Sequence, residues 1–388
     1  MEASTYRISF VEDCPSYSAR NSSSATNCST SSSGTDLPPG SSPEVDHISE
    51  HFLNVVRVVV PVIFGLIAVL GLIGNLLVII VVILNQQMRS TTNILIISLA
   101  IADLLFIVVC VPFTAVMYAV PLWPFGTIFC KAYQYVIHVT AHASVYTLVL
   151  MSFDRYLAVV HPISSMVLRT QVNTFIAIGL SWLVICGCNS PMLFEFEVLY
   201  EHDLSNSYCM NVKTLTDPDH AKVFYGCFFA FAFLLPLATV SILYGFMIRR
   251  LLGCGGKARL TSGKSSDAMR AKRRVTKMVI IVVVIFAVCW LPLQIIFMVQ
   301  AFGQYPQSAS WIAVKLAANC LAYMNSCVNP ILYAFLSDNF RKSFRKLLGC
   351  FGDFQPLLKT NMERTSIRDY EKPLNRSTSS TVEHNSCL

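Results

Sequence analysis

Apolar and polar residues fall into long blocks along this chain. Seven blocks are nearly uninterrupted hydrocarbon: 55–84, 93–120, 128–160, 172–194, 223–248, 277–301 and 311–336. Each exceeds the ~18 residues at which an apolar stretch reads as a membrane span, and a helix of that length crosses ~30 Å of hydrocarbon. The period-2 alternation of barrel strands is missing from all seven. The pattern predicts an all-α membrane protein, a bundle of seven transmembrane helices over residues 53–336. The flanks read differently. Residues 1–52 hold a Ser/Thr/Pro/Gly-rich tract and residues 351–388 are polar, and both are expected to be disordered tails. Between bundle and tail, 337–350 places Phe340, Phe344, Leu347 and Leu348 at helical spacing among Arg341, Lys342, Arg345 and Lys346. That is the pattern of an amphipathic helix lying on a membrane face. Cys350 at its end is a candidate for palmitoylation, with a free thiol as the alternative.

Composition agrees: 54% of residues are hydrophobic and 13% charged, against about 25% charged in soluble domains. Charge placement sets the orientation. Residues 249–277 are densely basic with one acid, Asp267, so by the positive-inside rule this loop is cytoplasmic. Seven crossings then put the N-terminus outside, at the plasma membrane. The glycosylation acceptors Asn21 and Asn27 and the acids Glu195, Glu197, Glu201 and Asp203 fall on that outer side. No basic start with an apolar core precedes residue 50, so the first span is expected to act as the signal-anchor. Cys130 and Cys209 both reach the outer side, where oxidising conditions allow them to bridge. Cys14 and Cys28 could pair too, but connectivity is not readable from sequence. The surroundings expected are bilayer lipid, with no nucleic-acid partner. The basic loop reads as an orientation signal, a contact for anionic lipid, or both.

Few polar residues interrupt the spans. Asp103 and Asp154 are the only carboxylates within them. A buried carboxylate needs partners or a cation. Asn75, Ser144, Asn325, Ser326 and Asn329 are available to Asp103, and carboxylate, hydroxyls and amides together suit Na⁺; a packing hydrogen bond is the alternative. No resident cofactor is otherwise expected. Pro112, Pro191, Pro236, Pro292 and Pro330 each remove a backbone hydrogen bond and bend their helix. Such bends are either static kinks or the hinges of a two-state element.

The ordered set Gly74-Asn75, LAIAD, Cys130, DRY, Trp182, Pro236, Tyr244, Phe286, CWLP and NPILY resembles the rhodopsin-like G-protein-coupled receptors over about residues 53–350. Stretches such as MRSTTNILIISLAIADLLF and LAYMNSCVNPILYAFLSDNFRK look most like the insect allatostatin-A receptors, relatives of the galanin receptors. The resemblance implies a receptor, not an enzyme, coupling a peptide to a heterotrimeric G protein, of the Gi/o class. A galanin- or somatostatin/allatostatin-C-type receptor is the alternative. It implies that Arg155 of Asp154-Arg155-Tyr156 is held at rest and released to the G protein, joined by Tyr244 and Tyr333. Phe286, Trp290, Pro292, Asn329 and Pro330 would form the moving path. Many relatives hold the arginine with an acid at the start of span six. Here AMRAKRRVTK offers only Lys272 and Thr276, so the lock is expected to rest on Asp154 and Thr276, with some basal activity.

The outer cup is expected to draw on Gln134, Ile137 and His138 of span three, Trp290, Gln294 and Phe297 of span six, and Lys315, Asn319 and Tyr323 of span seven. His138 and His142 are either ligand contacts or satisfied bundle histidines. Ile137 stands where aminergic relatives carry an aspartate, and Tyr323 where opsins carry a lysine. The first argues against an amine ligand and the second against a photoreceptor, and a wide pocket with an acidic rim suits a peptide. The family's ligands end in an aromatic-x-Phe-Gly-Leu-amide, whose amide would meet Gln or Asn side chains. Thr360, Thr365, Ser366 and Ser377 to Thr381 are candidate sites for receptor kinases and arrestin, or part of a merely disordered tail.

Overall fold

The computed structural model describes residues 50–120, 122–200, 207–255, 263–303, 308–337 and 340–347. Asn21, Asn27, Cys14, Cys28, Cys350 and the Ser/Thr sites of the C-terminal tail lie outside them. So do the side chains of Lys272 and Thr276.

Seven long helices follow one another: α1 (Glu50–Leu84), α2 (Thr91–Ala119), α3 (Gly126–Val160), α4 (Gln171–Cys188), α5 (Pro218–Arg250), α6 (Gly263–Phe302) and α7 (Ala309–Leu336). Six of these regions are both long and apolar enough to cross a membrane. Helix α7 is long enough, at 28 residues, but richer in polar groups. Its Lys315, Asn319, Asn325, Ser326 and Asn329 are all buried, so its polarity is turned into the bundle. Residues 340–347 form a further short helix, α8, with Phe340 buried and Arg341, Lys342, Arg345 and Lys346 exposed. Phe340 stacks on Tyr333 at 5.5 Å between ring centroids, fixing α8 to the end of α7.

Local chemistry explains the helix ends. Ser90, Thr170 and Ser308 each accept a hydrogen bond from a backbone N–H in the first turn of α2, α4 and α7. Proline explains two internal distortions. Helix α2 widens into a π-turn at Phe106–Cys110, two residues before Pro112, and α5 does so at Ala230–Leu234, two residues before Pro236. A proline ring clashes with the carbonyl one turn back, and a wider turn relieves the clash. Pro292 and Pro330 stay inside α6 and α7. Pro191 differs from expectation: α4 ends at Cys188, and Pro191 sits in the turn beyond it.

Helix α3 carries buried residues from Cys130 to Val159 and runs through the bundle's centre. Helices α1 and α4 are peripheral, with Val58 66% and Leu183 71% exposed, the apolar surface that hydrocarbon would cover. Close approach of α1 to its neighbours depends on two glycines. A methyl at Gly71 would overlap Ile107 and come within 2.9 Å of the Cys327 sulfur; one at Gly74 would lie 3.0 Å from Pro330. Between α4 and α5 the chain forms a hairpin not foreseen from sequence, with β1 (Phe196–Tyr200) antiparallel to β2 (Ser207–Asn211).

Candidate functional site

The outer end is a roofed cup. Cys209 of β2 is disulfide-bonded to Cys130 near the start of α3, with Cα atoms 5.6 Å apart. This ties the hairpin across the helix ends and brings buried Phe196 to 6.0 Å from the His138 ring. Ile137, His138 and Phe297 then line, with Phe196, Phe224, Tyr225 and Phe228, a void of about 10 Å³, room for about one water. The four additional aromatics were not singled out from sequence. The Phe-rich stretch of α5 was visible, but not which side of it turns inward. His138 Nδ1 lies 2.7 Å from the Gln134 carbonyl. A carbonyl only accepts, so Nδ1 carries the proton.

Polar groups are enclosed on either side of this aromatic layer. Gln294 is fully buried, and among the described residues neither of its amide atoms has a hydrogen-bond partner; Trp290 Nε1 also lacks one there. Gln134 and Lys315 are buried and engaged with neighbours. Asn319 donates to the Tyr118 hydroxyl at 3.3 Å. Tyr323 turns away from the cup. Its ring packs 4.9 Å from Phe64 and 4.8 Å from Phe106, and its hydroxyl lies 2.8 Å from Thr114 Oγ1. Thr114 donates to the Cys110 carbonyl, so the Tyr133 and Tyr323 hydroxyls both donate to Thr114, joining α2, α3 and α7.

In mid-bundle, fully buried Asp103 accepts from Ser144 Oγ at 3.1 Å and Asn329 Nδ2 at 2.9 Å, with Ser326 as a further partner. Asn75 donates instead to the Gly71 and Ser326 carbonyls, each at 2.9 Å, holding α1 to α7. Asn325 is buried on the same helix but is not one of Asp103's partners. Hard oxygen donors around one carboxylate fit a small monovalent cation. Among the described residues no three His, Cys, Asp or Glu side chains gather as a transition metal would need.

At the inner end Asp154 is gripped from two helices and a turn. Arg169, in the turn before α4, reaches it through Nε at 2.6 Å and a second nitrogen at 3.1 Å. Thr91 donates at 3.0 Å and Thr92 at 2.7 Å from α2, and Arg155 sits 3.0 Å away. Arg169 was missed from sequence: it follows Asp154 by 15 residues across a turn, and nothing in the local pattern marks it. Nearby, among the described residues, Arg155 Nε and the Tyr333 hydroxyl are buried without hydrogen-bond partners, while the Tyr244 hydroxyl faces Ser152. Tyr156 points elsewhere, its hydroxyl 3.1 Å from His161 Nε2. Phe286 bridges toward the cup, 6.2 Å from Trp290 and 6.3 Å from Phe233.

Residues 74–333 match the family described as the seven-transmembrane receptor (rhodopsin family). The chain belongs to that family. It is similar to the allatostatin-A receptor of Bombyx mori, 49% identical over 76% of this chain and 81% of the relative. A galanin-like G-protein coupled receptor of Caenorhabditis elegans is 37% identical over 76% of this chain and 74% of its own length. Human galanin receptor type 1 is 37% identical over 77% and 84% respectively. The protein is therefore a multi-pass plasma-membrane receptor and not an enzyme. For a rhodopsin-family receptor the geometry divides naturally. The outer cup and the inner Asp154 cluster lie toward opposite ends of α3, and the packed Trp290–Phe286 pair on α6 lies between them.

Proposed function

We propose that this receptor binds an amidated peptide of the allatostatin-A type in its outer cup and activates a heterotrimeric G protein of the Gi/o class. The observation that carries the reading is Gln294. A buried primary amide with all its hydrogen-bonding capacity unmet costs free energy, about 1–3 kcal/mol per unsatisfied group. A C-terminal carboxamide supplies the matching donor and acceptor. The aromatic layer of Phe196, Phe224, Phe228 and Phe297 suits the aromatic side chains of such a peptide, and the 49% identity to an allatostatin-A receptor supports the same class. With the void at about 10 Å³, the peptide must part this layer, and moving Phe297 moves α6.

That motion is the signal. In the resting arrangement Arg155 is held by Asp154, while its Nε and the Tyr333 hydroxyl stay unpaired and the Tyr244 hydroxyl is turned to Ser152. Swinging α6 outward at Pro292 would let these groups pair around the G protein's terminal helix, so peptide binding and pairing favour the same state. Na⁺ at Asp103, with Ser144, Ser326 and Asn329, would bind while α7 is in the resting position and oppose the change. Receptor kinases and arrestin would act on the C-terminal tail.

The experiment is G-protein activation in cells by a panel of peptides: allatostatin-A, galanin and allatostatin-C types, each as amide and free acid, with and without pertussis toxin. The amidated allatostatin-A type should respond, the free acid should be at least tenfold weaker, and Gln294→Leu should erase that difference. A preference for another type, or no preference for the amide, would overturn the ligand assignment. Insensitivity to the toxin would overturn Gi/o.

A further inference from the structure

A second, much larger cavity opens on the flank of the bundle between α3, α4 and α5, with a volume of about 920 Å³. Its lining includes His142, Tyr146, Leu180, Val184, Cys227 and Leu235. Three of these residues, Leu180, Val184 and Leu235, are 60%, 58% and 49% exposed on what would be the hydrocarbon face. Access is therefore sideways, from the bilayer. Along α5 the lining runs from His220 to Leu235, roughly 22 Å of helix, somewhat more than one leaflet of a ~30 Å core. The volume lies in the ~300–1,000 Å³ range of small-molecule sites.

Three polar groups of this cavity, on α3 and just past the end of α4, have a proton already committed. Tyr146 donates its hydroxyl proton to the Phe231 carbonyl at 3.1 Å. His142 Nδ1, 2.8 Å from the His138 carbonyl, must carry its proton there. Asn189 spends an amide hydrogen on the Ile185 carbonyl at 2.8 Å. What these three leave toward the cavity is acceptor capacity: His142 Nε2, the Tyr146 oxygen and the Asn189 carbonyl; the Glu195 carboxylate is already taken by Asn211 Nδ2 at 3.0 Å and His220 Nε2 at 3.3 Å. A neutral donor matches these groups, and in hydrocarbon a neutral donor is far cheaper than a charged one.

We propose that this flank cavity binds a bilayer lipid of sterol type, its apolar body lying along α5 and its single hydroxyl donating to the acceptors of α3 and α4. His138, Phe224 and Phe228 line both this cavity and the void of the outer cup. They form a one-side-chain wall, so occupancy on one side presses on the other.

The test uses the full receptor, purified and placed in sterol-free nanodiscs, with a photoreactive cholesterol that keeps its hydroxyl. No peptide or G protein enters, so the outcome is independent of the function proposed above. Crosslinks should concentrate on residues 177–192 and 220–235. Unlabelled cholesterol should compete, and its methyl ether should compete about fivefold less well, the worth of one hydrogen bond. Val184→Trp, which fills the cavity from the lipid side, should cut labelling about tenfold; His142→Phe, which keeps the ring and removes the acceptor, about fivefold. Crosslinks spread evenly over lipid-facing helices, full labelling of Val184→Trp, or equal competition by the methyl ether or by monoolein would each overturn the proposal. Because Val184 faces hydrocarbon, its variant keeps the test decisive if His142→Phe does not fold.

Discussion

Two buried carboxylates sit on adjacent helices of one bundle and are treated in opposite ways. Asp154 meets two guanidinium groups and two threonine hydroxyls. Its charge is neutralised by fixed protein cations and its oxygens are saturated. Asp103, more deeply buried, meets the hydroxyls of Ser144 and Ser326 and the amide of Asn329, all neutral. On the proposed reading, the same side chain is a latch where its counter-charge is built in and a site for Na⁺ where its partners are neutral. Partners, not residue type, assign the role.

The largest effect expected from breaking this comparison is on signalling. Arg155→Ala should retain peptide binding within about threefold and abolish G-protein activation; preserved activation would remove Arg155 from its assigned job. Next is Asp154→Asn, which strips the latch of its charge. Leaving Arg155 buried without a counter-ion costs about 3–5 kcal/mol, which drives it outward, so ligand-independent activation should rise roughly tenfold over the parent at equal surface expression. No rise would show that the latch does not restrain the resting state. Arg169→Ala sharpens the point. Arg169 is partly exposed, so solvent screening makes its share smaller, about 1 kcal/mol, and basal activity should rise about threefold, with Arg169→Lys between the two. Smaller again is Thr92→Val, which removes one hydrogen bond to Asp154 and should raise basal activity about twofold.

The helices were legible because hydrocarbon demands apolar blocks of one length, and the observed spans follow those blocks closely. Helix α7 was the weakest of them by composition because its inward stripe carries Lys315 and three asparagines. The π-turns were signalled by Pro112 and Pro236, but their form was not, since a proline permits a kink, a widened turn or a stop, as Pro191 illustrates. The β-hairpin was invisible: two five-residue strands in an acidic loop have little pattern of their own, and the Cys130 bond positions them. At the sites, charge in an apolar run pointed to Asp103 and Asp154 at once. Arg169 and Thr92 were not legible, because a basic or hydroxyl residue near a span end is ordinary until the fold brings it to a carboxylate. Tyr323 shows the reverse limit, since helical spacing put it on the cup side and the Thr114 hydrogen bond turns it toward α2.

The contrast between the carboxylates is tested most directly by sodium and heat, with no ligand present. Purified receptor, Asp103→Asn and Asp154→Asn would be melted in NaCl and in N-methylglucamine chloride of equal strength. At sodium ten times its dissociation constant the parent should gain about 1.4 kcal/mol, seen as a raised melting temperature. Asp154→Asn should keep that gain on a lower baseline, and Asp103→Asn should lose it. An equal sodium shift in Asp103→Asn and the parent, or none in the parent, would contradict the account.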